Sequence, residues 1–208
     1  ATEDLSGSIP QQCNGRVDVL WLWVNGTDPT LLDAMSSVNV SYDPGRFREY
    51  DSLRFSMRSV AQFLPYVHDW WLFTAQQIPS FLQFRFAPGQ RVIEVNNIRL
   101  HLVFHEDVIP KEFLPTFSSP TIESYIHYIP GIADCIIYLN DDFFINRYIP
   151  MTHWIGKDGV NFLYTDPKHF SPDFRLMKRF PFVFSLGYTA MRMNELHNVT
   201  SLKKQSRL

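Results

Sequence analysis

Apolar residues fall in short unbroken runs along the chain, and polar turn residues close each run. Val17-Asp-Val-Leu-Trp-Leu-Trp-Val24 is apolar, β-branched and aromatic, and Asn25-Gly26 ends it. That is the pattern of a buried strand followed by a turn. Asp28-Pro29 then offers an N-cap with proline at the first helical position, which predicts a helix from Pro29 to about Val38. In the stretch from Asp51 to Leu64 the apolar residues Leu53, Met57, Val60 and Leu64 recur at helical spacing, and Pro65 stops the pattern. An amphipathic helix is expected there. Trp70-Trp-Leu-Phe-Thr74 and Arg91-Val-Ile-Glu-Val95 read as further strands, with a turn or helix at Ile78-Pro79 between them. Ser119-Pro120 opens another helix with Ile122, Ile126 and Ile129 on one stripe, and Cys135-Ile-Ile-Tyr-Leu139 is an apolar strand running into Asn140-Asp-Asp142.

Strands alternating with helices predict βαβ units: an α/β fold with a mainly parallel, Rossmann-like sheet flanked by helices. The unbroken apolar character of the first and last strands predicts that both faces are covered. Ligands of such sheets bind beyond the carboxyl ends of the strands. Asn25-Gly-Thr-Asp28 and Asn140-Asp-Asp142 both fall at such ends, which puts two polar clusters on one edge. Residues 1–15 read as a polar leader, 16–150 as the core, and 151–208 as an irregular, loop-like extension.

Composition narrows the picture. The 208 residues are 45 % apolar and 19 % charged, with a net charge of -2, so a packed core is expected and a duplex-binding surface is not. The many aromatics, 15 % of the chain, serve core packing first and could also line a sugar site. No apolar stretch approaches the roughly 20 residues of a membrane-spanning helix, so the chain reads as soluble with any anchor outside it. Cys135 lies inside an apolar strand and Cys13 in a polar stretch, so the two are not expected to bond. Asn39-Val-Ser41 and Asn198-Val-Thr200 fit the glycan acceptor pattern and suit a secretory-pathway protein.

Chemistry gathers at few places. Adjacent carboxylates at the end of a buried strand need compensation, by a metal or by hydrogen bonds. Side chains alternate along a regular strand, so a turn must come next if Asp141 and Asp142 are to share an ion. They could equally end the strand and cap the next segment. Glu123 and His127, four apart, would share a helix face as an acid/base pair or as a surface ion pair. Arg54 and Arg58 lie one turn apart beside Asp51, suited to phosphate or simply to water. There is no zinc-like spacing, phosphate loop, nucleophile elbow or redox cysteine pair.

These residues resemble the conserved blocks of the Stealth family. Asp18-Val-Leu-Trp-Leu-Trp-Val-Asn-Gly-Thr-Asp28 is similar to the first block. Arg46-Phe-Arg-Glu-Tyr-Asp-Ser-Leu-Arg-Phe-Ser-Met-Arg-Ser59, Gln77-Ile-Pro-Ser-Phe-Leu82, His105-Glu-Asp-Val108, Leu114-Pro-Thr-Phe-Ser-Ser-Pro-Thr-Ile-Glu-Ser124 and Tyr138-Leu-Asn-Asp-Asp142 match the second in order. The resemblance implies transfer of a sugar 1-phosphate from a nucleotide-sugar to a glycan hydroxyl. Bacterial members build capsular or exopolysaccharide, and an animal member moves N-acetylglucosamine-1-phosphate from UDP-GlcNAc onto mannose of lysosomal enzymes. It further implies Mg²⁺ or Mn²⁺ on Asp141 and Asp142, and catalytic roles for Asp142, Asp141, His127 and Glu123. Substrate contacts would come from Asp18, Asn25, Gly26, Asp28, Asp51, Arg54, Ser118, Ser119 and Asn140. The Asn25 sequon then belongs to the site motif. A UDP-sugar donor, a mannose-containing glycan or polysaccharide acceptor, and a Golgi or secretory-pathway lumen are the implied partners and place. The family's two later blocks are not found within residues 151–208. Two other readings therefore stay open: a metal-dependent glycosyltransferase releasing UDP, and a non-catalytic paralogue that binds nucleotide-sugar or glycan.

Overall fold

The structure, a computed structural model, describes residues 9–43, 45, 50–156 and 159–160. All of these belong to the first of the two units into which the chain divides, Ala1–Phe162 and Leu163–Leu208. The Asn198 sequon, the opening Arg46-Phe-Arg-Glu49 of the second block and most of the 151–208 extension lie outside the described residues.

Among the described residues a five-stranded sheet has the order β3-β4-β2-β1-β5. Its strands are β1 (Val17–Trp23), β2 (Asp69–Thr74), β3 (Val92–Val95), β4 (Ile98–Phe104) and β5 (Cys135–Asn140). β1 pairs in parallel with β2 and β5, and β2 with β4; only β3 runs antiparallel, on the outer edge. This is the expected α/β fold with a mostly parallel sheet. The helices are α1 (Pro29–Ser37), α2 (Ser52–Phe63), α3 (Ser80–Gln83), α4 (His105–Val108) and α5 (Ser119–Glu123).

The apolar spacing of α2 explains how it docks. Leu53, Met57, Val60 and the adjoining Leu64 are all buried, against Val19 and Trp21 of β1, Trp70 and Leu72 of β2, and Leu100 of β4. Each such side chain is worth about 1.5–3 kcal/mol of burial. The opposite face packs Leu20, Trp71, Phe73 and Val103 against Ile109, Ile122, Ile126 and Ile129. The three isoleucines expected as a stripe thus reach the core, though along a different path.

Several expectations need correction. The helix from Ser119 ends at Glu123, and Ile126–Tyr128 forms a separate 3-10 turn, so Glu123 and His127 do not share a helix face. β4 adds a strand to those expected: it comes after β3 through Asn96-Asn97, whose φ values of 52° and 64° suit a tight two-residue hairpin turn. β5 is only partly buried, with Ile136 36 % exposed, because among the described residues it pairs with β1 alone and forms the edge of the sheet. Cys13 and Cys135 are bonded to each other after all. Parallel pairing sets Val17 opposite Cys135, and the 3-10 turn Gln11–Cys13 folds back just before β1, bringing the two Cα atoms to 5.1 Å. The polar stretch holding Cys13 hid this, since Cys13 itself is 1 % exposed.

Candidate functional site

Parallel strands deliver their carboxyl ends to one edge of the sheet, and the loops that leave those ends build the site. After β1 the chain turns at Asn25, whose side-chain Oδ1 accepts from the Thr27 backbone N–H (3.1 Å) and hydroxyl (2.8 Å). Gln77, buried just after β2, grips the same residue from the other side. Its Oε1 accepts the Asn25 N–H at 2.7 Å, and its Nε2 donates to the Asn25 carbonyl at 3.2 Å. Gly26 is buried within this turn. Asp28 caps α1 as expected, accepting from Thr30 N–H (2.8 Å) and Leu31 N–H (3.4 Å). The cap's carboxylate also favours the positive helix end, so its own negative charge is balanced locally.

Beside that turn lies a cavity of about 530 Å³, lined by Asp28, Leu31, Gln76, Gln77, His105, Glu106 and Thr116 among others. Its size fits a nucleotide-class ligand, for which about 300–1,000 Å³ is usual. His105 is 6 % exposed and packs edge-on to Phe73 at 4.9 Å. Burial lowers its pKa to about 4, so the imidazole is neutral at physiological pH. Gln76 donates to Glu106 at the rim.

On the other side of β1, register places Leu22 opposite Asn140. The turn that the carboxylate pair requires is present: Asp141 and Asp142 come directly after β5, and the Phe143 N–H closes onto the Asn140 carbonyl at 3.1 Å. Asp141 Oδ2 accepts from the Ser52 hydroxyl at 3.3 Å, tying the turn to the start of α2. There Asp51 adopts a left-handed φ of 61° and pairs with Arg54 at 2.9 Å. A non-glycine residue in that region carries strain and marks a place to look for function. Asp142 is exposed.

Glu123 reaches the same neighbourhood through Tyr138. The tyrosine oxygen lies 3.0 Å from Glu123 Oε1 and 2.7 Å from the Asn140 side-chain oxygen. One O–H serves one acceptor; turning the Asn140 amide so that its NH₂ donates satisfies both contacts. Burial, then the Glu123 charge, raises the Tyr138 pKa, so the hydroxyl keeps its proton. Glu123 and His127 line one depression with Tyr138 and Asp134 beside β5, but they form no ion pair, and His127 is exposed against the Tyr128 ring at 4.0 Å. Ser118 and Ser119 are exposed at the start of α5.

Asp18 is not at this edge. It sits near the amino end of β1, fully buried, where Arg16 (2.8 and 2.5 Å), the Trp71 indole N–H (2.8 Å) and the Ala133 N–H (3.0 Å) donate to its carboxylate. With His68 and Asp69 it forms the one group of three or more metal-capable side chains among the described residues. Those carboxylates already hold Arg16 and Arg99, so a cation there would meet two guanidiniums.

Three polar residues at the carboxyl edge, Gln77, His105 and Tyr138, lie in the matched blocks but carry no site role in the sequence reading. Gln77 and His105 lie just beyond apolar strands and Tyr138 near the end of one, which is the signal that marks them.

Residues 46–163 match Stealth protein CR2, conserved region 2, which is more than half of the 208-residue chain. The chain is 31 % identical over 170 residues to the capsular polysaccharide phosphotransferase cps12A of Actinobacillus pleuropneumoniae, covering 77 % of this chain and 43 % of that protein. It is 33 % identical over 147 residues to the exopolysaccharide phosphotransferase cps2G of Lactiplantibacillus plantarum, covering 69 % and 40 % respectively. Against the capsular polysaccharide phosphotransferase LcbA of Aeromonas hydrophila it is 30 % identical over 165 residues, covering 74 % and 42 %. The chain thus spans less than half the length of these relatives. Order of motifs, carboxyl-edge geometry and sequence likeness converge: the chain belongs to the Stealth family.

Proposed function

We propose that this protein transfers a sugar 1-phosphate, N-acetylglucosamine-1-phosphate from UDP-GlcNAc, to a hydroxyl of a mannose-containing glycan or polysaccharide and releases UMP. The observation that carries the reading is the convergence of the Asn25–Asp28 turn, the 530 Å³ cavity and the Asn140–Asp142 turn on one sheet edge, in a chain whose relatives are named phosphotransferases.

The acceptor oxygen forms a bond to the sugar-bearing phosphorus while that phosphorus loses its bridge to UMP, which leaves with the bridging oxygen. The hydroxyl proton goes to Glu123 or His127, which share the depression beside β5. Little covalent work falls to the protein in phosphoryl transfer, so positioning and charge dominate. Gln77 fixes the Asn25 turn, and neutral His105 offers the cavity a polar edge without repelling or attracting charge. Arg54, at the first turn of α2, contributes positive charge near the turn. Asp141 and Asp142 fit a Mg²⁺ or Mn²⁺ ion, because such ions need only one or two protein carboxylates beside substrate phosphate oxygens. When bound, the ion would neutralise charge on the diphosphate. Placement in the Golgi or secretory-pathway lumen is supported by the Cys13–Cys135 bond, at home in oxidising compartments, and by the exposed Asn39 acceptor. No described helix is long and apolar enough to cross a membrane.

The test is incubation with UDP-GlcNAc, Mg²⁺ or Mn²⁺ and α-methyl mannoside, with UMP and UDP assayed separately. UMP, lost in Asp142→Asn, supports the reading. UDP would mean glycosyl transfer, and neither nucleotide, with UDP-GlcNAc still bound in a parallel titration, would mean that this chain binds without turning over.

A further inference from the structure

On the sheet face that α2 covers, a groove of about 510 Å³ runs between α2, α3 and the β3–β4 hairpin. Arg54, Arg58 and Arg85 line it together with Trp70, Phe81 and Phe84, and no Asp or Glu does. Each guanidinium lies against a ring: Arg54 over Phe81 at 4.9 Å, Arg58 over Phe55 at 5.7 Å, and Arg85 over Phe84 at 5.1 Å. Stacking uses the flat face of an arginine and leaves its N–H edge for an anion. Asp51 answers Arg54 at 2.9 Å, and Glu94 shares a neighbouring depression with Arg85. Among the described residues no carboxylate pairs with Arg58 or Arg85. Phe84 is 76 % exposed and Phe55 51 %, large apolar surfaces that a protein leaves in water at a cost.

The groove leads to the proposed site. Right-handed crossovers make α2 run against the strands, so its first turn stands at the carboxyl edge. That turn is where Ser52 meets Asp141. Arg54 and Arg58 then descend from it, separated by about 6 Å of helical rise.

We propose that this groove holds the acceptor glycan through a phosphodiester the acceptor already carries. The inference rests on the transfer reaction proposed above: placing a sugar 1-phosphate on a hydroxyl creates a phosphodiester bearing one negative charge. An acceptor extended once therefore presents an anionic link between sugar rings. Arginine forks match the phosphate oxygens, and the exposed Phe84 ring that lines the groove matches the apolar face of a sugar. Bound this way, the chain's free end lies toward Asp141.

Calorimetry without donor tests the proposal independently of UMP release. Two mannose oligosaccharides of equal length are titrated into the protein, one phosphodiester-linked and one neutral, at about 50 and 200 mM salt. The phosphodiester form should bind about tenfold tighter at the lower salt, the size of one charge-assisted pair. Arg58→Ala with Arg85→Ala should remove that advantage. Arg58→Lys with Arg85→Lys should restore only part of it, because an ammonium lacks the fork. Phe84→Ala, at an exposed ring, should weaken both oligosaccharides alike. Equal binding of the neutral oligosaccharide, an unchanged double-alanine variant, or equal binding of an oligouridylate of the same charge would overturn it.

Discussion

The two edges of the sheet both carry acidic residues, and they treat them in opposite ways. At the amino edge Asp18 and Asp69 are buried, and two arginines and the Trp71 indole N–H donate to them. Arg16 and Arg99 pair with Asp69 at 3.2 and 2.8 Å, and His101 approaches it at 3.0 Å. At the carboxyl edge Asp142 is exposed, and no ion pair holds Glu123 or Asp142 among the described residues. A carboxylate whose oxygens are occupied can hold strands together but cannot take a cation or a proton without losing those partners. A carboxylate facing water can do both. Residue type alone therefore does not separate a bonded carboxylate from an available one in this fold; the strand end on which a residue falls does.

Asp142→Asn breaks this comparison most sharply if the comparison is wrong. UMP release should fall on the order of a hundred- to a thousandfold, the range seen when a group stabilising transition-state charge is removed, with the thermal midpoint unchanged. An enzyme that lost stability and kept activity would place Asp142 with the structural carboxylates. Asp69→Asn is the mirror image. It should cost about 3 kcal/mol, the lower end for a broken buried pair because Arg16 and Arg99 can still reach water, measured by urea unfolding, while UMP release per folded molecule stays level.

The same contrast separates by pH. Burial alone would raise the Asp69 pKa, but hydrogen bonds from Arg99 and His101 and the charges of Arg99 and Arg16 hold it below the usual carboxylate value. A carboxylate with a depressed folded pKa contributes stability above its unfolded pKa and loses it on further acidification, so Asp69 acts below about pH 4. His105 acts earlier. Its folded pKa of about 4 lies under the ordinary 6.5, so the unfolded chain takes up the proton first and stability falls as pH drops from 6.5 toward 4. The loss should approach about 2–3 kcal/mol at the lower end. His101 is shifted in the same direction, by burial against the pull of Asp69, so the wild-type curve mixes the two edges. His105→Phe should flatten its own share of that slope in urea titrations from pH 7 to 4. An unchanged slope would assign the whole effect to His101.

Much of this was legible in the chain, and the parts that were not share a cause. The β1 strand, the α2 stripe, the Asp28 cap and the turn after β5 arise from local pattern, because each depends on residues within a few positions. The motif of Asp18 is continuous with Asn25-Gly-Thr-Asp28 and so suggests one site, yet a seven-residue strand, Val17–Trp23, separates the two ends by about 20 Å at 3.3 Å per residue. The Cys13–Cys135 bond spans 122 residues, and only parallel pairing of β1 with β5 reveals it. β4 is legible in Ile98-Arg-Leu-His-Leu, which alternates as a half-buried strand should, only once Asn96-Asn97 is recognised as a hairpin turn. Tyr138 read as one more apolar strand residue, and its hydroxyl partners, Glu123 on α5 and Asn140 two residues on, belong to tertiary structure.

Tyr138 gives the smallest effect and tests whether the carboxyl edge is organised as well as exposed. Its hydroxyl joins Glu123 at 3.0 Å to Asn140 at 2.7 Å, the contacts that a residue positioning the α5 carboxylate against the acidic turn would make. Tyr138→Phe keeps the ring and deletes the link, and kcat for UMP release should fall about fivefold, the worth of one hydrogen bond near 1 kcal/mol, with the donor KM unchanged. Asn140→Ala alone should give a similar drop. If the two contacts form one connected path, the double variant should be little worse than either single one, leaving a coupling energy above about 0.5 kcal/mol. Independent effects that multiply would mean that Tyr138 merely packs beside β5, and the carboxyl edge would then be a set of separate polar ends with no shared geometry. A shift in donor KM without a fall in kcat would instead move Tyr138 from the reacting groups to the nucleotide side of the cleft.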